Sequence, residues 1–507
     1  MSGHEGMEAT KRYNESSNSN WSRIEINRVI KQEEQRAYYI ELPFEVPEQT
    51  EMIHVSMEYT PLGEGAVTID LGICSPERVR GWSGGARKEF YVGLEKATPG
   101  YLPGPLNKGI WHILLGAYRI PSAGCEVKVH IRCEHMVKRW LKGDLHSHTQ
   151  HSDGTYTLQE AGEIMEQLGC DFIATTDHNT VSQNFAHPKE SRLVFIPGIE
   201  LTTNRGHINF LGVADPVKDF RVRQSEDMAE HIQAAKEQDA KVVLNHPHCE
   251  FCPWEWGFEH DYDWVEVWNG PWTDRNQRAL DWWQEQLASG RRLVAVGGSD
   301  VHRPHIYIKH AMPTTWVYSE SRTVHGILQG IGQGHVFLSY SPDGPIIEHT
   351  IGSFMIGDCI EGEEGEQRKE PAKGQVKEQA QEKVNEQSKE QLTEQLNEQT
   401  REQVNEQSEK QLASQLDVPV NDTCRNPSAV VSNLTLSNVM AGDQIKIISD
   451  VGVEEVVEVV VSGELHYSWE LKNRKFYRIE VWRYFDEVKL TLLAAMSNPI
   501  YLRNMEH

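Results

Sequence analysis

The sequence predicts an α/β chain: a central domain of alternating strands and helices around a parallel sheet, with a β-sandwich-like domain on either side. Three observations carry that reading. The chain has 507 residues, which at roughly 150 residues per domain is about three domains, each long enough to bury its own core. Strand-like and helical patterns alternate over residues 139–342, the arrangement that pairs strands in parallel. Short β-type runs between Gly, Pro and Asn turns fill 21–138 and return in 343–360 and 425–507.

Residues 1–20 lack the apolar core of a signal peptide and read as a flexible N-terminus. No stretch approaches ~18 consecutive apolar residues, so a cytoplasmic protein without a membrane partner is expected. Runs at 38–42, 53–58, 67–73 and 127–133 read as strands of a β-sandwich. The glycine-rich stretch 63–106, with Arg78, Arg80, Trp82 and Arg87, reads as long loops in preference to a ligand surface.

The central domain shows strand-like runs at 171–175, 193–199, 207–213, 241–245, 264–268 and 293–296, and helical stretches at 157–168, 225–238 and 275–288. The first helix opens on Thr157-Leu158-Gln159-Glu160, a capping box whose hydroxyl and carboxylate satisfy free N–H groups of the first turn. Where such a sheet closes into a barrel, the active site gathers at the strand C-terminal ends.

Between 361 and 424 the pattern breaks. Glutamate recurs at 378, 382, 386, 390, 394, 398, 402 and 406, almost always as Glu-Gln. A column at every fourth residue drifts around a helix, and like charges at that spacing repel by roughly 0.2–0.5 kcal/mol. The insert reads as a solvated helix or a disordered segment; a weak partner stripe through Leu392, Leu396, Val404, Leu412 and Leu416 is the alternative.

The 75 acidic and 50 basic residues leave a net charge of −25, which opposes stable binding to nucleic acid or to an anionic membrane. A polyanionic substrate would need a local positive centre. Eight cysteines are too sparse for a disulfide framework. The 23 histidines are unusually many, and they gather beside Asp and Gly.

Those histidines fall where the predicted strands end. Asp144-Leu145-His146-Ser147-His148 sets two imidazoles two residues apart, on one side of an extended chain. Ser152-Asp153-Gly154 follows, then Thr176-Asp177-His178-Asn179, Gly198-Ile199-Glu200, Gly206-His207, Asn245-His246-Pro247-His248 and Ser299-Asp300-Val301-His302. Taken jointly, His146, His148, Asp153, His178, Glu200, His207, His246, Asp300 and His302 make nine nitrogen or carboxylate ligands. That exceeds the needs of one ion, so two or three divalent ions sharing a carboxylate is the economical reading, with Zn, Mn or Fe all allowed.

Together these motifs resemble the PHP (polymerase and histidinol phosphatase) superfamily, and Gly81-Trp82-Ser83-Gly84-Gly85-Ala86-Arg87, Val265-Glu266-Val267-Trp268-Asn269-Gly270 and Ser497-Asn498-Pro499-Ile500-Tyr501-Leu502 resemble its CehA/McbA-type metallohydrolases. The resemblance implies a distorted (β/α)7 barrel with a trinuclear site. It implies His146, His148, Glu200 and Asp300 around one ion, Glu200 bridging to a second with His207 and His246, and Asp153, His178 and His302 at a third. It further implies hydrolysis by a hydroxide held between ions. A phosphomonoester or phosphodiester of a small molecule or nucleotide leads, and a carboxyl or carbamate ester follows.

Around the ligands, Asp144 and Asp177 are candidates to orient imidazoles, or simply form strand-end turns. His248, Arg303, His305 and Arg205 are candidates to contact substrate or protonate a leaving group. With Asp177, His248 and Arg303 form the catalytic set, and Arg205, Trp254, Trp268 and Asn269 the substrate-binding set. Trp254, Trp256, Trp268 and Trp272 read as a pocket wall or as core. Cys249-Glu250-Phe251-Cys252 lacks a second Cys pair, so a metal role there needs borrowed ligands. The non-enzymatic alternatives are a polymer-binding scaffold and an interaction protein using the insert.

Deleting 361–424 is expected to leave folding and activity intact; an insoluble or inactive deletion variant in a parallel assay would overturn this.

Overall fold

The computed structural model describes residues 10–14, 20–189, 191–361 and 431–503. The Glu/Gln-rich insert and Cys424 lie outside the described residues. Within the stretch read as a flexible N-terminus, Thr10–Asn14 instead forms a strand, paired antiparallel with the otherwise open edge of Trp21–Ile30.

The N-terminal domain packs two antiparallel sheets. One carries Thr10–Asn14, Trp21–Ile30, Cys125–His135, Thr50–Pro61 and Glu89–Gly93 in spatial order; the other carries Tyr39–Val46, Gly109–Arg119, Thr68–Cys74 and Val79–Trp82. Period-two burial seals them: Cys125, Val127, Val129, Ile131 and Cys133 all point into the shared core. The glycine-rich stretch is corrected here, because it holds three of these strands. A Cβ at Gly72 would lie 2.6 Å from the Trp82 ring, so this glycine serves close packing. Buried Arg80 donates to the carbonyls of Leu102, Gly104 and Pro105 and fixes the loop that follows.

The central strands are numbered in chain order: β1 (Arg139–Asp144), β2 (Phe172–Thr175), β3 (Val194–Thr203), β4 (Gly206–Leu211), β5 (Lys241–Leu244), β6 (Trp264–Asn269), β7 (Val294–Gly298), β8 (Thr314–Ser319) and β9 (Val336–Ser339). Their helices are α1 (Leu158–Gln167), α2 (Ser225–Lys236), α3 (Asp274–Ala288) and α4 (Val324–Gly332). Strands β1 to β7 are hydrogen-bonded in sequence order. β1, β2 and β3 run parallel, as do β5, β6 and β7, but β4 is antiparallel to both its neighbours. The expected strand–helix alternation holds for only some connections. α1, α2 and α3 link β1 to β2, β4 to β5 and β6 to β7, whereas β3 and β4 form a hairpin. Gly206, at φ +110°, makes that tight return. The capping box forms as predicted, with the Glu160 N–H donating to Thr157 Oγ1 and the Thr157 N–H to the Glu160 carboxylate.

The C-terminal strands also differ from a self-contained domain. Leu490–Ser497 pairs with β9, so Phe476–Phe485, Gln444–Ser449 and Gly452–Glu458 continue the central sheet. A second sheet, Phe354–Met355, Ile346–Ile351, Val431–Val439 and Gly463–Glu470, encloses a core with Trp316 and Phe337 from the central strands. Asn498 locks the two regions together. Its side chain accepts from the Ala295 N–H and donates to the carbonyls of Ala295, on β7, and Val336.

His349 lies in that second sheet, bonded through Nε2 to Ser432 and stacked on Trp469. Burial pulls it down to about 3 from an ordinary 6.5. The unfolded chain therefore takes up a proton first as pH falls, and stability is lost between those two values. At pH 5 the loss is about 2 kcal/mol relative to neutral pH. Urea denaturation of wild type and His349→Phe at neutral and acid pH is expected to show a smaller pH-dependence in the variant by that amount.

Candidate metal centre

The ends of β7 and β1 meet beside the site. The Asp300 N–H donates to the His146 carbonyl at 2.8 Å, and the His148 N–H to the Val301 carbonyl at 3.0 Å. The buried Asp144 carboxylate ties this junction by accepting from the N–H groups of His146, Ser299 and Ala311. Gly298 makes the approach possible, since a Cβ there would stand 2.3 Å from that of His146. His246 and Asp300 adopt left-handed backbone at φ +24° and +53°. Such conformations are costly outside glycine and cluster at functional sites.

At the junction four side chains converge. His146 Nε2 is 3.3 Å from Glu200 Oε2 and 3.4 Å from Asp300 Oδ1; His148 Nε2 is 3.3 Å and 3.0 Å from the same two oxygens. His146 Nε2, His148 Nε2 and Glu200 Oε2 are buried and have no hydrogen-bond partner. Orphaned buried atoms of this kind are expensive unless something sits between them. The His146 Nδ1–H donates to Glu266 at 3.0 Å, which fixes the ring with Nε2 as the nitrogen facing the centre.

Two further groups share the centre. Asp153 Oδ1 lies 3.7 Å from His178 Nε2 and 3.4 Å from His302 Nε2, and those two nitrogens face each other at 3.3 Å. His302 Nδ1 is held by the Asp300 carbonyl and His178 Nδ1 by Thr202. Two imidazole nitrogens face to face need a proton or a cation between them. On the other side, Glu200 Oε1 lies 3.0 Å from His207 Nδ1 and 3.5 Å from His246 Nε2, and accepts from Asn245. Glu200 thus touches five imidazoles, counting His178 at 2.9 Å. It lies inside β3, three residues short of the strand end, because the hairpin extends that strand beyond the predicted boundary.

The electrostatics point the same way. Burial opposes charge on Glu200, yet His146 and His207 hold its carboxyl well below the usual range. Burial likewise opposes charge on Asp300, and His146 and His148 depress it. Burial pushes His146 down, but Glu266, Glu200 and Asp300 together lift it well above its ordinary value. The centre therefore demands positive charge, and its donors, mostly oxygen and imidazole nitrogen in groups of three or four, fit divalent cations.

Among the remaining predicted residues, Asn269 is at the site, donating to Glu266 and to Asp300 Oδ2. Asp177 spends both oxygens on Thr149 and Ser152. It positions the loop that carries Asp153 and contacts no imidazole. His248 packs its ring against Phe258 and Trp282, and its buried Nε2 has no hydrogen-bond partner. Trp254 and Trp268 are corrected, since both are buried in the central core with indole N–H groups bonded to the Gly257 and Gly270 carbonyls. Arg205 lies over Trp256 and bonds Glu255. Arg303 is exposed, directly after His302. Glu266 was missed, because a lone acid inside an apolar strand carries no pattern of its own.

No family model and no curated protein matches the chain. Among solved structures, a two-domain protein from Bacteroides vulgatus containing a predicted PHP-like metal-dependent phosphoesterase aligns over 71% of this chain and 95% of its own, at 17% identity and TM-score 0.35. An amidohydrolase from Chromobacterium violaceum with bound sulfate and no metal aligns over 33% of this chain and 89% of its own, at 18% identity and TM-score 0.25. Scores this low carry no inference about the present chain. Among the described residues, no helix is long and apolar enough to cross a membrane.

Glu266→Gln keeps the shape of the side chain but removes the charge that orients His146. It is expected to weaken metal binding by roughly 10- to 100-fold, measured by equilibrium dialysis with elemental analysis. An unchanged affinity would remove Glu266 from the centre's support.

Proposed function

We propose that the chain is a metal-dependent hydrolase that holds two or three divalent ions, of Mn, Zn or Fe, and cleaves a phosphoester of a small-molecule or nucleotide-like substrate. The observation that carries this is the convergence of His146, His148, Glu200 and Asp300, with the Nε2 atoms of both histidines and Oε2 of Glu200 buried and unpartnered. When bound, such ions act as Lewis acids and make water nucleophilic at neutral pH.

The chain's own residues shape the rest. Glu266 and Asn269 hold His146 and Asp300 in place, and Asp177 pins the loop before Asp153. The centre is closed around His146 and His148 but opens on one side, where the side chains of Asp153, His178 and His302 are 58%, 23% and 23% exposed. A substrate approaches from there, and Arg303 stands next in the chain. Its guanidinium offers several N–H donors in a fixed fork to the oxygens of an anionic ester. The motif resemblance to the PHP superfamily supports a phosphoester over other esters, and in a chain of net charge −25 a cationic centre supplies the local positive charge an anionic substrate needs.

The test is turnover of aryl phosphomonoesters, phosphodiesters, short oligonucleotides and aryl carbamates by metal-reconstituted protein. Phosphoester cleavage is expected, abolished by chelation and restored by a divalent ion. His178→Ala and Asp300→Ala are each expected to lower kcat by roughly 100-fold or more without unfolding the chain. Retained activity in both variants overturns the proposal, and preference for the carbamate moves it to another ester class.

A further inference from the structure

The Cys249–Cys252 pair needed borrowed ligands to bind a metal, and the fold supplies them. After β5 the chain doubles back: the Cys249 N–H donates to the His246 carbonyl at 2.9 Å and the Trp254 N–H to the Pro247 carbonyl at 3.0 Å. This return brings Cys252 Sγ to 3.8 Å from His246 Nδ1. Sγ and one ring nitrogen each of His207 and His246 all lie within 4.8 Å of one another. In a tetrahedral zinc site, with Zn–S near 2.3 Å and Zn–N near 2.0 Å, sulfur and nitrogen donors stand about 3.5 Å apart. The observed spacing is a few tenths of an ångström from that value. Cys249 lies beside it, its thiol hydrogen-bonded to that of Cys252 and its Sγ 4.0 Å from an Arg275 guanidinium nitrogen.

We propose that Cys252 is a sulfur ligand of a cation position on the Nδ1 side of His246, the side turned away from Glu200, shared with His207, so that one corner of an otherwise nitrogen- and oxygen-lined cluster is thiolate-bearing. This rests on the metal-centre reading above and deepens it. A thiolate favours Zn, Co or Fe over Mn and Mg, whereas carboxylate-rich positions discriminate less. The Cys252 corner therefore selects a softer ion than the Asp153, His178 and His302 corner, and the loaded protein carries positions of unequal metal preference.

The experiment uses the full chain, stripped of metal and titrated with Co(II). Wild type and Cys249→Ser are expected to show a thiolate-to-cobalt charge-transfer band in the near ultraviolet, and Cys252→Ser to lose it while still binding cobalt at the other positions. A second measurement needs no variant: saturating Zn is expected to slow alkylation of Cys252 by about tenfold or more, because the bound thiolate is no longer the free nucleophile; peptide mass mapping reads this with the buried cysteines as controls. Cobalt bound without the band, a band that survives Cys252→Ser, or zinc-loaded protein with unprotected Cys252 overturns the sulfur assignment and leaves the hydrolase reading standing. Failure of the chain to bind cobalt at all overturns both.

Discussion

A single buried carboxylate, Glu200, sets the terms for the centre. Its two oxygens meet five imidazoles delivered by four segments of the central domain. An ionised carboxylate out of water is tolerated only when paired, and imidazoles facing it are tolerated only when their lone pairs or protons find a use. Replacing any one of these groups leaves the others with uncompensated charge. The carboxylates Asp300 and Asp153 extend the same logic to either side, and Glu266 behind His146 carries it one layer outward. The framework around the centre, from the Asp144 knot to the glycine at 298, exists to bring these charges within reach of one another.

That framework explains which parts of the site were legible in the amino-acid order. Ligand motifs that lie next to strand ends, such as His146 and His148 or Asp300 and His302, stand out because polar residues interrupt apolar runs there. The hairpin at Gly206 moved Glu200 into a strand interior without moving its side chain from the centre, so the motif survived an error in the boundary. Glu266 and Thr202 act through other residues and have no spacing rule to reveal them. The tryptophans misled for the opposite reason. A crowd of indoles near strand ends looks like chemistry, but aromatic bulk is also what fills a core, and here Trp254 and Trp268 are buried in it. The surroundings of Cys252 were only half legible, since His246 stands six residues before it but His207 comes from another strand.

The domain pattern was legible in outline and altered in its joints. Period-two burial revealed the strands on both sides of the centre, whereas sheet continuity between β9 and Leu490–Ser497 depends on tertiary pairing that local sequence does not encode. The glycine-rich N-terminal stretch shows the same limit: Gly72 under an indole and a loop glycine are identical on the page.

The bracing of β7 by Asn498 ties the centre to the order of synthesis. Asp300 is presented by a strand whose Ala295 is gripped by a side chain made 203 residues later. A nascent chain carries all its histidine and carboxylate donors long before that clasp emerges from the ribosome. Capture of ions by a finished cage is thereby coupled to completion of the C-terminal sheet, and a chain cut short of Asn498 would hold every donor yet lack the frame that aligns them.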